Sequence, residues 1–248
     1  MGTRRLTRKE IIQEDKIQSL LRRTTQWFTT NIRLLAIATG VVVVVVTAAY
    51  LWVHFSRATS VRLQAQFAEA LAIHSAPVGQ EQTAEAPSSK YSFKTEEERH
   101  KKALAEFTQI AEDSPKTVVG QFARYYVGLN QHQLGQVAEA RKTMEELIDE
   151  ANEPMVRSLA ANYLAQMSEA EKNNQQAIEM LNKALENAAP GFPKSSFLFR
   201  LGQNYEALGK TQDAVKQYQR ILTEFPDSAE SEQARARIDA LPKETAKK

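Results

Sequence analysis

The sequence predicts an all-α chain: a single N-terminal transmembrane helix followed by an α-solenoid of about four helical hairpins. Three observations predict it. The 23 residues between Arg33 and Arg57 carry no formal charge. Beyond them the chain repeats itself at an interval of 37 residues. Cysteine is absent, so neither a disulfide framework nor a thiolate metal site is available and packing must hold the fold.

The whole-chain net charge of +2 hides unlike segments. Residues 1–33 carry eight Lys/Arg against three acids, which leaves 24 basic and 27 acidic residues to the remainder. The basic balance belongs to the tail and points to no nucleic-acid partner. The chain divides into a cytoplasmic basic tail (1–31), the transmembrane helix (32–56), a helical repeat domain (57–240) containing a flexible loop (75–94), and a disordered C-terminal tail (241–248).

A helix of 23 residues reaches roughly 35 Å, enough for a hydrocarbon core of about 30 Å. The valine run 41–46 is a poor helix former in water, but in lipid every backbone group must pair internally, and a lone segment does that as a helix. Trp27 and Phe28 precede the apolar run and Tyr50 and Trp52 lie near its far end, where interfacial aromatics belong. Arg22, Arg23 and Arg33 on the amino side outweigh Arg57 and Arg62 on the other, so the N-terminus is expected in the cytoplasm and the repeat domain across the membrane. A cleaved signal peptide fits less well, because its apolar region runs only to about 7–15 residues. In the tail, Ile11, Ile12, Ile17, Leu20 and Leu21 suit one helical face. That face is compatible with a surface helix on the inner leaflet or a partner helix, and equally with a loosely ordered topology signal.

The repeat sets the fold of the remainder. Ala103, Ala140, Ala177 and Ala214 stand 37 apart; four residues on come Phe107, Met144, Leu181 and Tyr218, and three further Ile110, Leu147, Ala184 and Ile221. A second column, Gly128, Ala165 and Gly202, keeps the same interval. Small residues let two helices approach, and large apolar ones at i+4 and i+7 fill the space between them. Pro115 and Pro226 close two units. These residues resemble the tetratricopeptide repeat. The last unit matches best, with Leu198, Leu201-Gly202, Tyr205, Ala214, Tyr218, Ile221 and Pro226. The pattern's early Trp is replaced by Arg124, Ala161 and Leu198, and the interval exceeds the family's 34 by three residues, read as longer connections.

The helix that should pair with Ala103 to Ile110 is displaced. Its expected place is held by Ser75 to Lys94, rich in Pro, Gly, Gln, Glu and Ser, which reads as loop. The partner is therefore Thr59 to Ile73, with Leu63, Phe67 and Leu71 on one face. Residues 228–240 read as a capping helix, which a solenoid end needs for solubility.

No catalytic motif is found, and the chain is expected to be no enzyme, with no cofactor, no metal and no small-molecule substrate. Gly202, Gly209, Lys210 and Thr211 imitate a phosphate loop, but six residues separate the glycines where four are needed. His54, His74, His100 and His132 include no i, i+4 pair. Acid-rich stretches such as Glu96 to Lys102 read as solvated helix faces.

The remaining candidate surface is the inner face of the solenoid. Mapping the repeat pattern places there Phe122, Tyr125, Leu129 and His132 from one unit, Asn162, Gln166 and Glu169 from the next, and Phe199, Gln203 and Glu206 from the last. Aromatic and amide side chains suit a peptide groove, although Phe122 and Phe199 serve equally well as core between units. A basic tail, one span and a helix leading into a small repeat domain together resemble the YfgM-like family of bacterial inner-membrane proteins. The resemblance implies an ancillary role at the Sec translocon, with protein partners: translocon subunits, secreted polypeptides or periplasmic chaperones. The alternative is a scaffold or assembly factor for another envelope complex, such as a pilus, a secretion system or the division machinery. A membrane sensor is disfavoured, since a tail of 33 residues is too short for an output domain.

Overall fold

A computed structural model of the chain describes residues 45–47, 60–79 and 90–242. The chain divides into two compact units, 1–61 and 62–248. The expected tail 1–31 lies outside the described residues, as does the expected transmembrane helix 32–56 apart from the helical residues 45–47. No helix among the described residues is long and apolar enough to cross a membrane.

The second unit is built from helices: α1 (60–74, beginning just ahead of the unit), α2 (Glu96–Asp113), α3 (Val118–Gln133), α4 (Val137–Glu150), α5 (Pro154–Ala170), α6 (Asn174–Glu186), α7 (Lys194–Ala207), α8 (Thr211–Glu224) and α9 (Glu230–Ala240). They make four hairpins, α1/α2, α3/α4, α5/α6 and α7/α8, each stacked on the next, with α9 closing the carboxy end against α7 and α8. The expected partner of α2 is thus found at 60–74, within a residue of its predicted bounds, and the expected cap at Glu230–Ala240. Local signals explain the boundaries. Thr95 and Thr117 cap α2 and α3 through their hydroxyls, and Pro154 opens α5, where its missing N–H costs nothing. Pro115 and Pro226 follow the ends of α2 and α8 as expected.

Every position of the 37-residue columns is buried. Ala103, Ala140, Ala177 and Ala214 are wholly enclosed, as are Phe107, Met144, Leu181 and Tyr218. The second column explains its own composition. A methyl group on Gly202 would lie 2.3 Å from the Tyr218 ring, and one on Gly128 2.7 Å from Met144 Cε. Where leucine, smaller than the Tyr218 ring, stands at 181, alanine takes the place of glycine at 165, so side-chain volume is exchanged between those two pairs.

Ala70 of α1, fully buried beside Phe107, supplies this column's first member. It precedes Gly128 by 58 residues, 21 more than the interval, and the surplus is the segment between α1 and α2. The described ends of that segment are tied together. Val78 and Phe93 form an isolated parallel bridge, with Gly79 N donating to Phe93 O at 3.0 Å and Phe93 N to Pro77 O at 3.2 Å. Lys90 Nζ reaches Glu69 at 2.6 Å, and Tyr91 donates to the same carboxylate. The interior, 80–89, lies outside the described residues.

Candidate functional site

The ten predicted groove residues all lie on the first helices of three hairpins, α3, α5 and α7, nine of them in three columns of the repeat (125/162/199, 129/166/203 and 132/169/206) and Phe122 outside these. They divide by what they touch.

Four are spent on joining one hairpin to the next. His132 Nδ1 lies 2.6 Å from the Tyr163 hydroxyl. Glu169 receives Arg200 Nη2 at 2.7 Å and Nε at 3.1 Å, with Asn204 Nδ2 at 2.7 Å. The same Arg200 donates through Nη1 to Asn162. Glu206 accepts Arg237 Nε at 3.0 Å and the Tyr218 hydroxyl at 2.5 Å. The donors and acceptors repeat at the 37-residue interval: 132, 169 and 206 on one side, 163, 200 and 237 on the other. This is a ladder of clasps, one per seam. Tyr163, Arg200, Asn204 and Arg237 are the functional neighbours the sequence reading missed. The acids at 169 and 206 with arginines 31 residues further on were the available signal, interrupted by the His132–Tyr163 rung.

Four more are half-buried and pack against the main core: Phe122, Tyr125, Leu129 and Phe199. Tyr125 meets Tyr163 edge-on at 6.4 Å, and burial pushes its phenol up to about 12, so it stays neutral. Phe199 lies 5.5 Å from the Tyr218 ring. The open question about the two phenylalanines is thereby narrowed, since each contributes one side to the core and keeps a part accessible. Gln166 and Gln203 alone of the ten are exposed, at the same position of successive repeats.

The position of the family's Trp is also explained. Ala161 and Leu198 are fully buried there. Arg124 instead turns toward α4, where it meets Glu150 at 2.9 Å and also Glu146. A cation is tolerated because two carboxylates one turn apart receive it. Among the described residues no group of three or more His, Cys, Asp or Glu could hold a metal ion.

These features define a helical-hairpin repeat protein, whose first helices present a mixed aromatic and amide surface over a clasped backbone. The family model of the tetratricopeptide repeat-like domain matches residues 25–243, and the chain belongs to that family. A protein of this class is a protein–protein interaction module. Among solved structures, the chain is similar to a putative kinesin light chain from Podosopora anserina with nearly identical repeats of this kind. The two share 16% identity over 72% of this chain and 84% of that one, with a TM-score of 0.47. No curated protein matches the chain.

Proposed function

We propose that the chain is a non-catalytic, membrane-tethered binding module of the bacterial inner membrane, ancillary to the Sec translocon, with its repeat domain on the periplasmic side. The uncharged stretch between Arg33 and Arg57 supports the tether, and the excess of arginine before it supports the direction. The observation that carries the binding reading is the division of the predicted face. Charged members are paired within the seams, whereas Gln166 and Gln203 stay exposed above half-buried Tyr125, Leu129 and Phe199. Such a surface offers amides to a peptide backbone and apolar area to its side chains, with little charge selectivity. That suits polypeptides that share no sequence, such as secreted chains before folding.

The test is a photo-crosslinking amino acid placed at Gln166 or Gln203 of the full chain in membranes. Adducts to translocon subunits, secreted polypeptides or periplasmic chaperones are expected. Adducts confined to a pilus, a secretion system or the division machinery would replace this reading with the scaffold alternative. Protease protection in spheroplasts checks the orientation separately.

A further inference from the structure

The first seam is built unlike the others. Asn130, wholly buried in α3, donates through Nδ2 to the carbonyl of Tyr126 at 2.7 Å, which leaves its Oδ1 as acceptor. Two imidazoles point at that one oxygen: His74 Nδ1 from α1 at 3.1 Å and His100 Nδ1 from α2 at 2.8 Å. Both must therefore carry hydrogen on Nδ1. His100 Nε2 in turn accepts from Arg99 Nη2 at 3.2 Å, which a protonated ring could not do. These contacts make His100 the Nδ1–H tautomer and His74 a second Nδ1 donor to the same oxygen.

We propose that His74, joined to His100 through Asn130, forms an acid-sensitive latch that holds α1 against α2 and α3 and releases it when the His74 imidazole protonates.

The surroundings give added protons little support. The guanidinium of Arg99, which also touches His100, opposes protonation of His74. Burial, the largest influence, holds the His74 imidazole below its ordinary value, and it outweighs the bond to Asn130, which favours the charged ring. Five carboxylates of α1 and α2 are engaged elsewhere, among them Glu98 with the Lys94 N–H at 3.2 Å and Glu106 with Lys102 at 2.6 Å. Glu69 of α1 is held by Lys90 and Tyr91, Glu96 by Arg99 at 3.7 Å, and Glu97 by Lys101 at 2.6 Å. From α3 the facing groups are Asn130 and Tyr126, whose ring lies 5.3 Å from that of His74. A cavity of about 390 Å³, lined in part by His100, Glu97, Lys101 and Gln133, lies beside the His100 end of the cluster. A histidine whose folded value is depressed binds fewer protons seated than free. The latch is therefore fully effective above about pH 6.5 and weakens as pH falls through that value. Release uncovers the face of α2 and α3 that carries Ala103, Phe107 and Tyr126, against which α1 packs.

The test is hydrogen–deuterium exchange of the full chain in detergent at about pH 7.5 and about pH 5.5, corrected for intrinsic rates, comparing residues 60–74 with α8. Protonation of the freed His74 across this span raises the opening equilibrium of 60–74 by up to about tenfold and leaves α8 unchanged. His74→Asn with His100→Asn keeps a donor toward Asn130 in place of each Nδ1 and abolishes the acid response. Asn130→Asp puts a carboxylate between the rings and reverses its sign, so α1 is held more tightly at the lower pH. The latch is overturned if the exchange of 60–74 and α8 changes equally, if neither changes, or if the response survives the paired asparagine variant. Should that variant not fold, the parent profile and the sign seen with Asn130→Asp decide alone.

Discussion

The amino-terminal and carboxy-terminal seams of the solenoid solve one problem with different chemistry. At the carboxy end Glu206 meets Arg237 and Tyr218, an ionic clasp with solvent at its edge, Arg237 being exposed. At the amino end the corresponding register holds His74, Asn130 and a cluster of rings: Phe67, Phe107 and Tyr126 lie with centroids 4.7 to 5.9 Å apart. An ion pair at a rim tolerates wear, because water replaces whichever partner is lost. A buried neutral network does not, because each orphaned donor keeps its full desolvation cost. The two ends should therefore respond unequally to equivalent damage.

The largest expected effect breaks the amino-terminal seam. Asn130→Ala removes the acceptor of two imidazole N–H groups and should cost about 3 kcal/mol, whereas Glu206→Ala should cost about 1 kcal/mol. Urea titration of both variants, followed by circular dichroism at a fixed pH near 7.5, measures the difference. Equal costs would show that the buried network is worth no more than the surface clasp.

Packing provides the next contrast within a single column. Gly202→Ala drives a methyl into the Tyr218 ring, a rigid and fully buried neighbour, and should cost about 2–3 kcal/mol. Gly128→Ala comes closest to the terminal methyl of Met144, which can swing aside, with Met144 Sδ and Thr143 Cγ2 at 3.4 Å, and should cost about 1 kcal/mol or less. Pairing Gly202→Ala with Tyr218→Leu, the combination already present at Ala165 and Leu181, should recover most of the loss. Denaturation midpoints of the three variants check this, and failure of the rescue would place the strain somewhere other than that ring.

A smaller effect is expected at the middle clasp. Arg200→Met leaves Glu169 with the Asn204 amide, and both ionic partners are partly solvated, so the expected cost is about 1 kcal/mol. The parent's advantage over this variant should shrink in about 1 M salt, since the ionic part is screened. A difference unchanged by salt would mark the Arg200 stem, and not its charge, as the contributor.

What the sequence made visible follows the same division. The apolar columns were legible because volume has to recur wherever helices recur, so Ala103 to Ala214 and Phe107 to Tyr218 kept step. The first repeat was only half legible: its second helix held the interval, while the 21-residue insertion moved Ala70 out of step and left Leu63, Phe67 and Leu71 as the sole guide. The clasps were only partly legible, for a different reason. A seam needs a donor facing an acceptor, and His132 with Tyr163 satisfies that need as well as Glu169 with Arg200, so residue type does not repeat although geometry does. For the same reason four groove candidates that looked available by position proved to be bonded across seams.

Backbone conformation is the feature side-chain type disguises most, and the turns show it. Gly135, Lys172 and Gly209 occupy one column and all adopt positive φ, at 77°, 60° and 70°. Each donates its N–H to the carbonyl three residues back, at 2.9, 3.0 and 2.8 Å, and the following residue bonds five back, which ends the helix in a left-handed cap. Glycine is at ease there, whereas a lysine Cβ crowds the following carbonyl at a cost of about 1 kcal/mol. Lys172→Gly should therefore stabilise the chain by about 0.5 kcal/mol, the relief exceeding the added flexibility of the unfolded chain. The reciprocal change, Gly209→Lys, should destabilise by a similar amount. The measurement is the urea midpoint at unchanged slope. A loss of stability in Lys172→Gly would mean that the lysine side chain earns its place through contacts that outweigh the backbone strain.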